Sequence, residues 1–311
     1  MNKNKLHPEY QILNILQKLV DQGESSDDRT GTGTYKLFGE TMSFDLGDNI
    51  LPVVTTRKIA LRLVIEELLW FMSGSVNAEL LQKKNVHIWD GNGSKEECAK
   101  FNREPGDLGP IYGHQWRNFN ASKRKVPLKK DFYSKEHKRW VHKDYHDDGV
   151  DQIKYVVDTL QNDPNSRRIL FSGWHAEEAH LTNPPPCHTL YQFQVSNGKL
   201  NAILFMRSSD FFLAAGGFNI PSLAILMHVL CKLCNLEPGK LIYMGGDVHL
   251  YKNHLDAAKK QLEREPLPYP TISINDRLKG KGFEGLMDLK FEDITIHNYV
   301  SHKPIKAPMS V

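Results

Sequence analysis

Two stretches of the sequence are apolar on almost every side of a helix, and they constrain the fold more than any other feature. Residues 58–72, KIALRLVIEELLWFM, carry apolar side chains nearly all round a helix. Residues 220–236 show the same pattern, and Pro238-Gly239 is expected to end that helix. A helix that is hydrophobic all round has to be covered on every side. We therefore expect both helices deep in a core, which a chain of 311 residues is long enough to build.

Shorter signals around these two helices complete a mixed pattern of elements. Ser196-Asn197-Gly198 has the turn chemistry of a β-hairpin between two alternating stretches. Helical periodicity also occurs at 10–20 and 150–162, and strand-like patterns occur at 28–46, 169–171, 189–195 and 200–206. We expect one mixed α/β domain spanning residues 1–311, without a linker or an internal repeat.

The composition argues against several classes of protein. The chain is 40% hydrophobic and 25% charged with a net charge of +3, which is typical of a globular protein and implies no polyanion partner for the surface as a whole. Four cysteines are too few and too scattered for a disulfide scaffold. The first twenty residues lack the apolar core of a signal peptide, and no continuous apolar run predicts a membrane span. We expect a cytoplasmic location.

A polar, turn-rich region at about 117–149 reads as a surface insertion. Within it, residues 123–143 hold nine Lys/Arg against two acidic residues and are interleaved with aromatics. Such a run is more often a solvated surface than a binding site, and we prefer that interpretation. RNA binding through 123–143 is the alternative, and it predicts an affinity that falls steeply with salt.

Three prolines precede one cysteine in 183-NPPPCHTLYQF-193. Proline fixes φ and excludes helix, so the Cys187 thiol should lie at a defined strand entrance. Neighbouring residues on a strand point to opposite faces, so His188 is badly placed to deprotonate Cys187. A nucleophilic thiol needs a lowered pKa, for which arginine is the obvious agent. These residues leave a nucleophile and a core cysteine equally open, whereas for Cys231 and Cys234, inside an apolar helix, packing is favoured.

Two adjacent glutamates on one predicted helix differ in their surroundings. Glu66 has Arg62 four residues earlier, which predicts a surface ion pair. Glu67 lies between Leu63 and Phe71 on the helix with no partner in reach. Its pKa should therefore be raised, which suits proton transfer near neutrality. If the helix edge is misjudged, Glu67 is simply solvated.

Arginines and an asparagine provide the groups that nucleotide recognition needs. Bidentate guanidinium groups, helped by a hydroxyl such as that of Ser208, suit a dianionic phosphate, although a single arginine is usually a surface charge. The candidates are Arg29, Arg167, Arg168 and Arg207. Asn219 offers an amide donor and acceptor side by side, which complements O4 and N3–H of uracil, whereas an aspartate would suit cytosine better. Asn219 could equally cap the helix that follows it.

Ten ordered segments resemble the thymidylate synthase family, and the resemblance runs from about Asp28 to the C-terminal Val311, nearly the whole chain. That resemblance implies a mixed α/β (α+β) domain with a large bent mixed sheet covered by helices, and a homodimer whose sheets pack back to back. The segments are DRTGTGT, EELLWFMSGS, HIWDGNGS, GDLGPIYGHQWR, DPNSRRI, PPCHTLYQF, RSSD, FNI, GDVHLYKNH and QLEREPLPYP.

The resemblance implies a methyltransferase that converts dUMP to dTMP. In that family the cosubstrate 5,10-methylenetetrahydrofolate supplies both the carbon and the hydride, and no metal takes part. Cys187 would add to C6 of dUMP, which turns C5 into the carbon that attacks the folate methylene. Loss of the C5 proton and hydride transfer would then give dTMP and dihydrofolate.

The resemblance also implies the residues of the site. Beside Cys187, the catalytic groups would be Glu67, Tyr112, Arg207 and Asp210. The dUMP contacts would be Arg29, Arg167, Arg168, His188, Arg207, Ser208, Ser209, Asp210, Asn219, His249 and Tyr251, with Arg167 and Arg168 donated by the partner subunit. The folate contacts would be Trp89, Asn92, Asp210, Leu213, Phe218, Ser310 and Val311. The tail 309–311 would close over folate and exclude water.

The chain departs from the family pattern in four places. Met206 stands where a glutamine usually precedes Arg-Ser. The usual Leu-Gly-x-Pro-Phe-Asn becomes 213-LAAGGFN-219, which is one residue longer and lacks the proline. Pro184 adds a third proline, and the 117–149 insertion is long.

These departures leave alternatives open. A methionine before Arg-Ser also occurs among pyrimidine hydroxymethylases of the same fold, in which water instead of hydride attacks the methylene intermediate, so dUMP hydroxymethylase is one alternative. Trp89 and Val311 favour a site that keeps water out, and Asn219 argues against dCMP as substrate. A catalytically inactive scaffold is the other alternative, and the complete set of thiol, arginines and asparagine argues against it.

Overall fold

The computed structural model describes residues 7–28, 30–121 and 149–308. Arg29, residues 309–311 and residues 122–148, which include the whole basic stretch 123–143, lie outside this range, and so do the predictions made for them. In the described residues the α-helices are α1 (Tyr10–Gln22), α2 (Leu61–Met72), α3 (Glu79–Gln82), α4 (Lys95–Ala99), α5 (Tyr112–Asn118), α6 (Gln152–Asn162), α7 (Ile220–Cys234), α8 (Leu255–Leu262) and α9 (Gly282–Met287). The strands are β1 (Glu24–Ser26), β2 (Thr34–Asp45), β3 (Leu170–Ser172), β4 (His188–Ser196), β5 (Lys199–Asp210), β6 (Glu237–Tyr251), β7 (Thr271–Ile274) and β8 (Ile294–His297).

Six strands form one mixed sheet in the order β1-β2-β6-β5-β4-β3, and β7 and β8 pair separately. The β5–β6 pair is parallel and the other neighbours are antiparallel. The predicted hairpin is confirmed, since β4 and β5 are joined at Asn197 and Gly198, which both have the positive φ of a tight hairpin turn. The expected mixed α/β fold with a large mixed sheet covered by helices is confirmed.

The two apolar helices are buried as predicted. Every residue of α7 except Lys232 is buried, and α7 packs on β5 and β6 and against α2. The segment Phe211–Cys234 is long and apolar enough to cross a membrane, but 83% of its most apolar window lies inside the protein, so it is a core helix. The buried side chains of helices and sheet join in one hydrophobic cluster.

The end of α7 differs from the prediction. The helix ends at Cys234, because Asn235 adopts the left-handed conformation (φ 55°) that terminates many helices. Pro238 and Gly239 lie inside β6 and do not end the helix. The long strand β6 was not predicted, since the two glycines at 245–246 interrupt its apolar alternation.

Candidate active site

Cys187 lies immediately before β4, where the prolines were predicted to place it. Its backbone N–H donates to the Tyr112 hydroxyl at 2.8 Å, and its carbonyl accepts from the Arg207 N–H at 3.0 Å. The backbone on both sides of the thiol is thus tied to other elements, α5 through Tyr112 and β5 through Arg207. The thiol itself is half-buried and unpaired with another cysteine.

The guanidinium of Arg207 is fixed beside the thiol by backbone carbonyls and by an aromatic ring. Its Nε donates to the Pro186 carbonyl at 2.9 Å and its Nη2 to the Pro185 carbonyl at 2.8 Å. The group also lies over the Trp174 ring, 5.2 Å from its centroid. Trp174 was not identified from the sequence, because it is thirteen residues before Cys187 and only the fold brings it to Arg207.

The pKa of the Cys187 thiol is raised in the single chain. Burial is the largest cause, and it outweighs the lowering by the Arg207 charge and by hydrogen bonds with Tyr112 and Ser208. Of the candidate arginines Arg29, Arg167, Arg168 and Arg207, it is Arg207 that acts on the sulfur in the described chain. The lowered pKa that a nucleophilic thiol needs is therefore not present in the single chain, since one arginine does not compensate for desolvation.

The His188 ring bonds Asn219 and not Cys187, as predicted from the alternation of side chains between the two faces of a strand. The His188 ring contacts the Tyr191 hydroxyl through Nδ1 and the Asn219 Nδ2 through Nε2, each at 2.7 Å. Burial lowers the pKa of His188 to about 4, so the ring is neutral. With Asn219 as donor, Nε2 is unprotonated and Nδ1 carries the hydrogen.

The amide of Asn219 has unused hydrogen-bonding capacity. Its Oδ1 is buried and has no hydrogen-bond partner among the described residues, and one N–H of Nδ2 remains after the bond to His188. The side chain does not cap α7, so the capping alternative is wrong. A buried acceptor without a partner is costly, so this oxygen is available to a donor from outside the described chain.

Glu67 is buried and not solvated, but the expectation that it has no partner in reach is wrong. The Trp89 Nε1–H donates to Glu67 Oε1 at 2.8 Å, so the carboxylate has a partner from outside its helix. Burial nevertheless raises the pKa of Glu67 to about 7, which confirms the predicted direction. Phe71 stacks on Tyr112 at 4.6 Å, and Tyr112 meets the His188 ring edge-on at 5.1 Å, which joins Glu67 to the site around Cys187.

The surface ion pair predicted for Glu66 and Arg62 is wrong. Glu66 is buried and bonds Lys84 Nζ at 2.7 Å. Arg62 instead donates to the carbonyls of Lys84 (2.8 Å) and Asn85 (2.7 Å). The segment after α3 packs against this face of α2 and offers both helix residues better partners.

The predicted sugar and phosphate contacts gather where the parallel strands β5 and β6 end. Ser208 is paired in register with Asp247, and Asp210 with His249. His249 Nδ1 contacts Asp247 Oδ1 at 2.8 Å. Tyr251 follows two residues later and meets the His249 ring edge-on at 5.3 Å.

Asp210 also starts the segment that leads to Asn219. Its Oδ1 accepts from the Leu213 N–H at 3.0 Å. Burial raises the pKa of Asp210 against the lowering by His254, whose Nδ1 is 3.9 Å away. His254, another residue not identified from the sequence, contacts the Pro308 carbonyl through Nε2 at 2.6 Å. Ser209, adjacent to Asp210, is 1% exposed.

The predicted folate residues in the described chain border the same region. Trp89 lies 6.0 Å from Tyr112 between ring centroids. The Asn92 carbonyl accepts from Asn183 Nδ2 at 2.9 Å, next to the proline segment. Leu213 and Phe218 lie half-buried in the segment between Asp210 and α7.

Arg167 and Arg168 are not brought to Cys187 of their own chain. Both are exposed just before β3. Leu170, the first residue of β3, pairs with Gln192, five residues beyond Cys187, and at the strand rise this is about 16 Å along the sheet. The arginines lie farther still, so the site built by one chain lacks them. Arg29, Ser310 and Val311 lie outside the described residues.

Comparisons with known proteins show the family of this chain. A family model described as thymidylate synthase matches residues 10–311. A bifunctional dihydrofolate reductase-thymidylate synthase of Paramecium tetraurelia is 41% identical over 308 residues, which cover 98% of this chain and 62% of the relative. Proteins of the same name from Plasmodium chabaudi (40% identical; 99% of this chain, 50% of the relative) and Zea mays (39%; 98% and 55%) are also similar. The chain spans about half to three-fifths of the length of these curated relatives.

Proposed function

The chain belongs to the thymidylate synthase family, and from this premise we propose that it methylates dUMP to dTMP with 5,10-methylenetetrahydrofolate as donor of carbon and hydride. The observation that carries the proposal is the buried amide oxygen of Asn219, which has no partner among the described residues and lies in the same site as a cysteine whose backbone is fixed on both sides. An enzyme of this kind needs both a reader for the uracil edge and a nucleophile for its C6.

The neutral His188 ring fixes which groups of Asn219 are available to uracil. Its Nε2 takes one hydrogen of the Asn219 amide, which leaves the second N–H for O4 and the unpaired Oδ1 for N3–H. Cytosine has a donor at the first position and an acceptor at the second, so it would leave two buried groups of Asn219 facing groups of the same kind. A site with buried hydrogen-bonding groups strongly rejects a base that leaves those groups unpaired, so we expect cytosine to be rejected.

Addition of sulfur to the base requires loss of the thiol proton. Because burial raises the pKa of Cys187, we propose that the thiol is the resting form and that the thiolate forms when substrate and further positive charge enter the site. The Cys187 Sγ bond to C6 pushes the C5–C6 π electrons toward C4 and O4, where negative charge develops. Arg207 is the cation that the single chain already holds beside the sulfur.

Proton transfers fall to Glu67 and Tyr112. With its pKa at about 7, Glu67 can both give and take a proton near neutral pH, which suits the charge that appears and disappears at O4. Burial keeps the pKa of Tyr112 well above its usual range, so its hydroxyl stays protonated beside Cys187 and the base. Trp89 and Phe71, which pack edge-on, form an apolar wall that favours hydride over water at the last step.

A second copy of the chain would complete the site. Leu170, Phe205 and Met244 are 37–39% exposed on the sheet face opposite α7, and Phe205 and Met244 are register partners. An apolar sheet face of this kind is a common dimer surface. We propose that a partner chain covers this face, with the two sheets back to back, and that it donates Arg167 and Arg168 to the nucleotide phosphate. These arginines are the added positive charge that Cys187 lacks in the single chain.

The decisive experiment is to incubate the protein with dUMP and methylenetetrahydrofolate and to weigh the nucleotide product. dTMP with an equal amount of dihydrofolate is expected. Hydroxymethyl-dUMP with tetrahydrofolate would contradict the proposal in favour of the hydroxymethylase alternative. No product, together with salt-sensitive RNA binding that survives Cys187→Ser, would favour the RNA-binding alternative.

A further inference from the structure

The chain between Asp210 and α7 is wound more widely than an α-helix. Phe211–Asn219 forms a π-helix that runs directly into α7. In a π-helix the N–H of residue i+5 donates to the carbonyl of residue i, so each hydrogen-bonded ring contains one residue more than in an α-helix. π-helices are rare and occur frequently at functional sites. We call this segment the wide turn. Its first residue follows Asp210 and its last is Asn219, so its width sets where Asn219 lies.

A buried arginine from a distant part of the chain holds the wide turn. Arg57 Nη2 donates to the Phe212 carbonyl and, at 3.2 Å, to the Leu213 carbonyl. Its guanidinium also lies over the Phe212 ring, 4.9 Å from the centroid. A carbonyl oxygen has two lone pairs, so these carbonyls can accept from Arg57 as well as from the helix. Although burial lowers the pKa of Arg57 to about 10, the group stays charged at neutral pH.

Two glycines of the wide turn allow it to lie close to the segment that carries this arginine. The Gly216 carbonyl accepts from the Val54 N–H at 3.2 Å, and a Cβ on Gly216 would lie 2.6 Å from Val54 Cγ1. A Cβ on Gly217 would lie 3.1 Å from Arg57 Nη2. The glycines thus permit both contacts, and larger residues would separate the two segments.

The segment that carries Arg57 is also held by hydrogen bonds that do not involve the wide turn. The Glu9 carboxylate, which is fully buried, accepts from the backbone N–H and the hydroxyl of both Thr55 and Thr56 at 2.6–3.0 Å. The Ile59 N–H donates to the Tyr299 hydroxyl at 3.0 Å. Arg57 therefore projects from a fixed support toward a turn of unusual width.

We propose that Arg57 is a positioning residue for uracil recognition, which holds the wide turn by its Phe212 and Leu213 carbonyls and so keeps Asn219 in place. The inference rests on the proposed function, since it takes dUMP as the substrate. Without this support the wide turn can relax to α-helical hydrogen bonding with a slip of one residue, which rotates Asn219 by about 100° about the helix axis. Arg57 acts through Asn219 and need not touch the base.

The test compares Arg57→Gln and Arg57→Lys with Arg62→Gln. Arg62 is a matched control, because it also gives its guanidinium to two backbone carbonyls, but those of Lys84 and Asn85. The measurement is the Kd for dUMP and for dCMP by calorimetry, with KM and kcat for dUMP alongside. Arg57→Gln is expected to weaken dUMP binding and to reduce the preference for dUMP over dCMP about tenfold or more, since the bidentate contact of Asn219 with the base is misplaced. Arg57→Lys keeps the positive charge but lacks the planar guanidinium, so its preference for dUMP should lie between those of wild type and Arg57→Gln. The preference of Arg62→Gln should match that of wild type.

The outcomes separate the inference from the function on which it rests. A purely structural role would reduce the active fraction, so kcat would fall while KM and the dUMP preference stay unchanged, and that result overturns the inference. If Arg57→Gln does not fold, the same measurement on Arg57→Lys decides, and wild-type preference there overturns the inference too. Wild type that does not prefer dUMP would overturn the proposed function, and the inference with it.

Discussion

Cys187 and Asn219 belong to the same site, but they are held in different ways. Cys187 follows a run of prolines, and its backbone is bonded directly to Tyr112 and Arg207. Asn219 ends the wide turn. Its side chain bonds the His188 ring, and we infer that its backbone position depends on Arg57, which bonds carbonyls six and seven residues earlier. Cys187 is therefore held by hydrogen bonds to its own backbone groups, whereas Asn219 is held through the π-helical segment that precedes it.

This difference separates the chemistry of the site from its choice of base. A change at Cys187 should remove the reaction and leave the nucleotide pocket intact, because the support of Asn219 does not pass through the thiol. A change on the Asn219 side should alter which nucleotide is bound while the nucleophile stays in place. The predictions below test this separation.

Cys187→Ser should have the largest effect, with product formation lowered by about 10⁴-fold or more, since the covalent step is lost. Binding of dUMP should stay close to wild type, because the Asn219 contacts do not involve the sulfur. Product is measured by mass spectrometry and binding by calorimetry. Cys231→Ala, which changes a buried cysteine of α7, is the control and should stay active. Appreciable turnover by Cys187→Ser would remove Cys187 as the nucleophile.

Glu67→Gln should lower turnover by about 10²- to 10⁴-fold, as expected for loss of a general acid-base group. It should also change the pH dependence of stability. The pKa of Glu67 is raised from 4.5 to about 7 on folding, so the folded protein binds the proton more tightly than the unfolded chain. As the pH rises from about 4.5 to about 7, the free energy of unfolding of wild type should therefore fall by up to about 3 kcal/mol relative to that of Glu67→Gln.

The control for Glu67 is its neighbour. Glu66→Gln changes a buried carboxylate that bonds Lys84 instead of facing the site, and it should keep near-wild-type turnover. Denaturant unfolding at several pH values measures the stability difference. Equal loss of turnover in both variants, or parallel stability curves for Glu67→Gln and wild type, would contradict the role given to Glu67.

Asn219→Asp should move the preference from dUMP toward dCMP by about tenfold to a hundredfold, because the acid offers acceptors where the amide offers a donor. The ratio of the two Kd values measures this directly. Asn162→Asp, on the exposed end of α6, is the matched control and should keep the wild-type ratio. An unchanged ratio for Asn219→Asp would mean that another group reads the base.

The parts of this molecule that were predictable from sequence are those that local patterns determine. Both apolar helices and the hairpin at 196–198 follow from the periodicity and turn chemistry of a few adjacent residues. The strand entrance at Cys187 follows from the prolines beside it. Even the raised pKa of Glu67 follows from its helix neighbours, because burial is its main cause.

The remaining features depend on contacts between distant residues, so no local pattern indicates them. The apolar stretch 211–219 reads like the start of a helix, and its contact with Arg57, more than 150 residues earlier, is seen only in the folded chain. The stacking of Trp174 on Arg207 and the pairing of Glu66 with Lys84 are of the same kind. The direction of the pKa shift at Cys187 could not be predicted for the same reason, since it is a balance between burial and charge that only the folded chain defines.

The smallest effect is expected from a mixing experiment, which tests whether Cys187 and Arg168 of one site come from different chains. Arg168→Ala and Cys187→Ser should each be poorly active, but a mixture should regain activity, because the Arg168→Ala subunit contributes Cys187 to a site that receives Arg168 from its partner. Random mixing of equal amounts makes half of the dimers mixed, each with one intact site of two, so about a quarter of wild-type activity is expected. Mixing Arg168→Ala with the double variant Arg168→Ala/Cys187→Ser gives no intact site and is the control. If mixed dimers verified by mass spectrometry show no more activity than this control, Arg168 does not act across the interface, and the charge that Cys187 needs has to come from its own chain.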